Sequence, residues 1–273
     1  MFNFFEILAQ NLPIFFLFPT HYTHFIPARH YDLREKIRRK TMITLRNAQD
    51  RGHANFGWLN SYHTFSFGSY YDPQQMGFSH LRVINDDTVT PGAGFETHGH
   101  RDMEILSLVL EGTIAHKDSA GNIKELPAGE YQLMSAGKGV YHSEFNASKK
   151  DMLKFLQIWI QPNQLGGEPG YQQKAFSQAQ GFTTVITPDG ANGTLQVKQD
   201  MQLIQLILED QQKATWQADN NRHYYVHLIE GELSLGDGIT IQPGDGAKIE
   251  NVSEINFERL SEQRIKALLF DLV

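Results

Sequence analysis

From Phe78 to Pro162 no apolar run outlasts a short strand. FSHLRVIN, EILSLVLEG, TIAHKDS, AGNIKEL, AGEYQLMSAG and LKFLQIWIQP follow one another, punctuated by glycine, proline, asparagine and aspartate. Segments of that length between turn formers read as strands, and many in succession read as a sandwich or barrel. Two of them carry chemistry. One residue separates His98 from His100, and one separates His142 from Glu144. Side chains two apart on a strand leave the same face, so each pair aims both side chains one way. Two such strands, adjacent and antiparallel, would deliver three imidazoles and a carboxylate to a single point.

The pattern then repeats in a weaker form. LVLEGTI at 108–114 is echoed by HLIEGEL at 227–233, and LPAGEY at 126–131 by IQPGDG at 241–246. The interval between the glycines of these motifs is 17 residues in the first half (Gly112 to Gly129) and 13 in the second (Gly231 to Gly244), as expected of a duplicated β unit with a shorter hairpin. A chain of 273 residues suits two domains of ordinary size. Alignment on the Glu-Gly pair puts Gln217 and Asp219 in the places of His98 and His100. Alignment on the later glycine puts Phe257 and Arg259 in the places of His142 and Glu144. An arginine there opposes cation binding. The expectation is an all-β chain of two tandem barrels, the first over residues 42–165 with the site and the second over 166–273 without metal ligands. The loop-like NQLGGEPGY at 163–171 lies between them.

Composition narrows the chemistry. With no cysteine, disulfides, thiolate sites and a cysteine nucleophile are excluded. A metal must be held by imidazole and carboxylate, a donor set that suits Fe, Mn, Co, Ni, Cu or Zn. Residues 1–41 carry six Lys/Arg against three Asp/Glu, and the remainder 18 against 28. So acidic a body, with no basic patch, argues against direct nucleic-acid binding. No 18-residue apolar stretch exists, so no membrane span is expected, and the expected compartment is the cytoplasm. Residues 1–41 are rich in phenylalanine, are broken by Pro13, Pro19 and Pro27, and lack the marks of a secretory signal. They read as a leader outside the fold, with Met42 as the natural start. Several other residues are weighed against the site. Glu104 suits a residue that orients a ligand histidine or a hydrogen-bonded strand position. Gln157 suits the pocket, and Arg101 the rim. Phe65, Phe67 and Trp159 suit core packing, and His53, His63, His80 and His116 suit turns, caps or the surface.

The run from Gly92 to Asn146 resembles the paired motifs of the cupins, a family of small β-barrels (double-stranded β-helix, jelly-roll). Gly92, His98, His100, Glu104 and Gly112 match the first motif; Gly129, Gly137, His142 and Asn146 match the second, with Ser135 in place of the usual proline. Glu104 falls four residues after His100, where many cupins place their glutamate five after. A one-residue slip turns a strand side chain to the other face. RNAQDRGH, HTFSFG, HGHRDMEILSLVLEG and HSEFN together resemble the pirin subfamily of bicupins, whose glutamate ligand lies two after the second-motif histidine, the place of Glu144. The resemblance implies one divalent metal on His98, His100, His142 and Glu144, with Fe(II) favoured. It also implies quercetin 2,3-dioxygenase activity: a flavonol and dioxygen as substrates, Glu144 as acceptor of the flavonol's 3-hydroxyl proton, and carbon monoxide as a product. Some pirins act instead as partners of regulatory proteins, so a non-catalytic, metal-dependent binding role stays open beside the enzyme.

Overall fold

The computed structural model describes residues 42–210 and 212–273; the expected leader, residues 1–41, lies outside the described residues. Strands, numbered along the chain, form two large and two small sheets. The first large sheet runs β12 (Gly170–Ala175), β9 (Glu130–Ser135), β6 (Glu104–Glu111), β11 (Leu153–Ile160), β4 (Leu81–Val89), β3 (Leu59–His63) and β2 (Gly52–Asn55). The small sheet packed on it runs β5 (Gly94–His100), β10 (Val140–Asn146), β7 (Thr113–Asp118) and β8 (Ile123–Pro127). The second half repeats the plan. Its large sheet runs β1 (Met42–Arg46), β20 (Gly246–Glu250), β17 (His223–Glu230), β22 (Ile265–Leu272), β15 (Gln202–Leu208), β13 (Gly181–Thr187) and β14 (Leu195–Gln196). Its small sheet runs β16 (Lys213–Gln217), β21 (Glu254–Arg259), β18 (Leu233–Ser234) and β19 (Thr240–Ile241). The chain is all-β, with two cupin-type domains. Among the described residues no helix is long and apolar enough to cross a membrane.

The halves trade edge strands. β12 begins at the end of the loop-like stretch at 163–171 yet pairs with β9 of the first sheet, and β1, at the start of the described chain, pairs with β20 of the second. By pairing, residues 42–46 and 170–175 each lie in the sheet of the other sequence half. An exposed strand edge is thereby covered in each sheet.

The two large sheets pack back to back. Leu106, Leu108 and Leu156 of the first meet Leu203, Leu268 and Phe270 of the second in one buried cluster. Tyr131 Oη donates across this layer to Gln205 Oε1 at 2.9 Å, with both residues fully buried. Alternation then decides what faces the inside of each barrel. On β6, Leu106 and Leu108 face the other domain, so Ile105, Ser107 and Val109 face inward. The second barrel is filled by apolar side chains, Ile204, Val226, Ala247 and Phe257 among them. The first is apolar only towards its two ends: Val109, Ile114 and Phe155 group at one, Ile105, Met134 and Val140 at the other.

Candidate metal centre

β5 and β10 are antiparallel neighbours, with His142 opposite His98 and Val140 opposite His100. Glycine makes their approach possible: a Cβ on Gly94 would stand 2.3 Å from the Glu144 carbonyl oxygen and 2.4 Å from Phe145 Cα. The ring centroids of His98, His100 and His142 lie 4.5 to 4.9 Å apart, and one nitrogen of each falls within 4.8 Å of the others. His142 is buried; His98 and His100 are half-buried at the barrel mouth. The β5–β10 register shifts after His142, so that Glu144 pairs with Phe95 on that side, while the regular β10–β7 register sets it opposite His116 on the other. Glu144 is 2% exposed; its Oε1 accepts from Ser107 Oγ at 3.3 Å, and its Oε2 has no partner. The carboxylate groups within 4.8 Å with His142 and His116, not with all three histidines at once. Two triads thus share His142, one at the mouth and one deeper.

The donors suit a cation. Nε2 of His98 and Nε2 of His142 are 3.0 Å apart. Two donors each about 2.1 Å from one ion, at right angles, stand about 3.0 Å apart. Burial, reinforced by His98 and His100, lowers His142 to about 2, and burial with His98 beside it lowers His100 to about 4. Both rings therefore offer lone pairs at neutral pH. Burial raises the Glu144 carboxyl to about 7. Together with the unpartnered Oε2, that is a buried acid lacking the positive partner that would ionise it fully.

His116 is the residue that sequence reading passed over. It is not at a turn, cap or surface but 1% exposed, its ring 5.5 Å from that of His142. Its Nε2 stands 3.1 Å from Asp118 Oδ2, and Asp118 also accepts from the Ala120 and Asn122 backbone amides and from Asn122 Nδ2. Those donors hold the Asp118 carboxyl below its usual range against the effect of burial, so Nε2–H donates to it and Nδ1 is left as an unpartnered acceptor. The available signal was alternation: Ile114, His116 and Asp118 are the buried positions of β7.

Other candidates separate cleanly. Glu104 points away from the histidines: its Oε2 accepts from Ser135 Oγ at 2.8 Å and from the Lys198 amide at 3.3 Å, tying the halves together. Trp159 stands edge-on to His100 at 5.0 Å and to Phe67 at 5.3 Å, and it donates to Gln157 Oε1 at 3.1 Å. Phe65 belongs to the layer between the domains. His63 is buried against Phe67, whereas His80 is half-buried, His53 is exposed and Arg101 is exposed at the mouth. Two clefts reach the histidines from outside. One of about 460 Å³ is lined by His100, Arg101, Lys138 and Tyr141, the other of about 660 Å³ by Trp58, Phe95, His98 and Phe145.

The corresponding place in the second barrel is filled. Its β16–β21 register sets Phe257 opposite Ala214, with Trp216 two residues on, where the first barrel sets His142 opposite His98, with His100 two residues on. Ala214 and Trp216, not the expected Gln217 and Asp219, are therefore the counterparts of the first histidine pair; counting back from the Glu-Gly pair fails because the intervening turn differs in length. Trp216 and Phe257 both pack on Phe182.

Comparison with known proteins places this geometry among relatives. A family model described as Pirin matches residues 44–160, and one described as Quercetinase C-terminal cupin domain matches residues 184–272. The chain is 47% identical over 231 residues to a protein of Escherichia coli (strain K12) named quercetin 2,3-dioxygenase, spanning 85% of this chain and 99% of that one. It is 34% identical over 235 residues to the pirin-like protein YhaK of the same organism, again over 85% and 99% of the two chains. Among solved structures, the bacterial pirin YhhW in complex with nickel(II), from Escherichia coli, superposes with a TM-score of 0.81 at 46% identity, covering 85% of this chain and 99% of that one.

Proposed function

The chain belongs to the pirin family, and from that premise we propose that it is a metal-dependent quercetin 2,3-dioxygenase, opening the heterocycle of a flavonol with dioxygen and releasing carbon monoxide. The observation that carries the reading is the donor set: three histidines and a buried carboxyl collected in one barrel, with the matching place in its duplicate filled by tryptophan and phenylalanine. His98, His100 and His142 would hold the metal through imidazole nitrogen and Glu144 through a carboxylate oxygen. Fe(II) is the ion favoured by the family pattern, while nickel(II) is the ion bound by the solved relative. The bound ion supplies a Lewis acid that makes a substrate hydroxyl more acidic.

The protein's own groups do the rest. Trp58, Phe95 and Phe145 give the cleft beside His98 apolar aromatic walls suited to a flat aromatic substrate. Ser107 engages Glu144 Oε1 and leaves Oε2, which has no protein partner, as the oxygen that would take the flavonol hydroxyl proton. Burial of Glu144 and His142 keeps bulk water from that proton. The test is anaerobic reconstitution with Fe(II), followed by quercetin-dependent dioxygen uptake and carbon monoxide detection. Uptake well above that of His98→Ala is expected. Uptake equal to that of His98→Ala, with metal bound, would leave a non-catalytic binding protein that acts through protein partners.

A further inference from the structure

A single row of side chains crosses the first large sheet at the level of Glu144. Strand register sets His63, Asn85, Gln157, Ser107, Gln132 and Gln173 side by side on β3, β4, β11, β6, β9 and β12. Directly paired residues of antiparallel strands share a face, and the Ser107 contact with Glu144 identifies it as the inner face of the barrel. All six are polar, and all but Gln173 are buried. Asn85 Oδ1 and Gln132 Nε2 are buried with no partner, an expense in stability that a row serving only to hold a barrel together has no reason to carry.

The duplicate barrel supplies an internal control. Alignment on the Glu-Gly pair sets Val226 in the place of Ser107, and alignment on the later glycine sets Ala247 in the place of Gln132. The strand register independently puts Val226 beside Ala247 and continues through Leu269 to Ile204. The fold therefore accepts an apolar row at this level. The polar row occurs in the barrel that carries the histidines.

The row meets the candidate ligands at three points. Ser107 donates to Glu144 Oε1. Gln157 Oε1 accepts from Trp159 Nε1, and the Trp159 ring stands edge-on to His100. Gln173 Oε1 at 2.8 Å and Gln132 Oε1 at 3.1 Å share the proton of Tyr171 Oη, whose ring lies 4.9 Å from that of His116, and His116 in turn lies beside His142. Tyr171 is carried by β12, the strand that pairs with β9 of the first sheet although it follows the expected boundary between the halves.

Resting on the metal site read above, we propose that this row is the inner support of the metal centre, with Ser107 a positioning residue that sets the orientation of Glu144, and Gln157 and Gln132 acting through Trp159 and Tyr171 on His100 and on the His116–His142 pair. Partners standing behind metal ligands hold them in the geometry the ion needs, and losing one costs roughly 10- to 100-fold in metal affinity. The experiment titrates cobalt(II) into the metal-free protein, follows its d–d absorption, and needs no substrate. Ser107→Ala is expected to weaken cobalt binding about tenfold and to move the absorption towards that of Glu144→Gln, while the metal-free variant unfolds at the wild-type temperature. Ser107→Thr, which keeps the hydroxyl, restores both affinity and spectrum. Wild-type affinity and spectrum in Ser107→Ala would overturn the proposal. So would equal losses in Ser107→Ala and Ser107→Thr accompanied by early unfolding of the metal-free forms, which would make Ser107 a packing residue. A wild-type protein that binds cobalt(II) yet opens no flavonol after Fe(II) loading would sink the dioxygenase reading and leave this one standing.

Discussion

Glu144 should govern how metal affinity depends on pH. Its carboxyl, raised to about 7 by burial, must lose a proton before an oxygen can bind a cation. His142 and His100, lowered to about 2 and about 4, are already neutral through the working range and add no dependence of their own. For a carboxyl titrating near 7, only about 3% is ionised at pH 5.5, so the Glu144 contribution to affinity falls roughly 30-fold from its value at pH 8.5, about 2 kcal/mol. The sign is fixed: affinity rises with pH up to about 7 and then levels. The assay is calorimetric titration with nickel(II) from pH 5.5 to 8.5 on the wild type and on Glu144→Gln, which removes the titrating proton but keeps the shape. The logarithm of affinity should climb about one unit per pH unit more steeply in the wild type than in the variant below pH 7. Parallel curves would refute the reasoning, because they would mean that Glu144 gives up no proton when the metal binds.

Other outcomes follow from the same geometry. In the metal-free protein the raised Glu144 pKa means that stability present below pH 4.5 is lost as the pH rises through about 7. Glu144→Gln should therefore resist urea better than the wild type at pH 8, by up to about 3 kcal/mol, with the gap closing at pH 4. Gly94→Ala would drive a methyl into the β10 backbone, and it should cost about 1–3 kcal/mol in urea unfolding together with a weaker metal site, since β5 carries His98 and His100. Tyr131→Phe strips the buried donor from Gln205 between the domains, and it should cost about 1–2 kcal/mol without moving nickel(II) affinity.

Much of this was legible in the residues, for identifiable reasons. The two-residue spacing of His98 with His100 and of His142 with Glu144 is the period of a strand, so shared faces could be read directly. Partnership between β5 and β10 followed from the family pattern. The register shift between β5 and β10 after His142 was not legible, nor was the β10–β7 register that sets Glu144 opposite His116, so that the carboxylate groups with His142 and His116 and not with all three mouth histidines. His116 was missed because a single histidine within TIAHKDS has no second ligand at strand spacing; alternation marks it as inward, but only His142 and Tyr171, its neighbours from distant strands, reveal its surroundings. The exchange of β1 and β12 was equally hidden, since nothing local in MITLR or GYQQKA names a partner strand in the other sheet. Glu104 was set apart by its one-residue slip, but its contact with the Lys198 amide between the halves could not be read from residues so remote in sequence.

The central claim is a single metal centre in the first barrel. Anomalous diffraction from crystals of the nickel(II)-loaded protein, collected at the nickel edge, tests it most directly. One peak bonded to His98, His100, His142 and Glu144, with no counterpart beside Phe257, is the predicted result. A peak held by His116 in place of His98 and His100, or a peak outside the first barrel, would contradict the account.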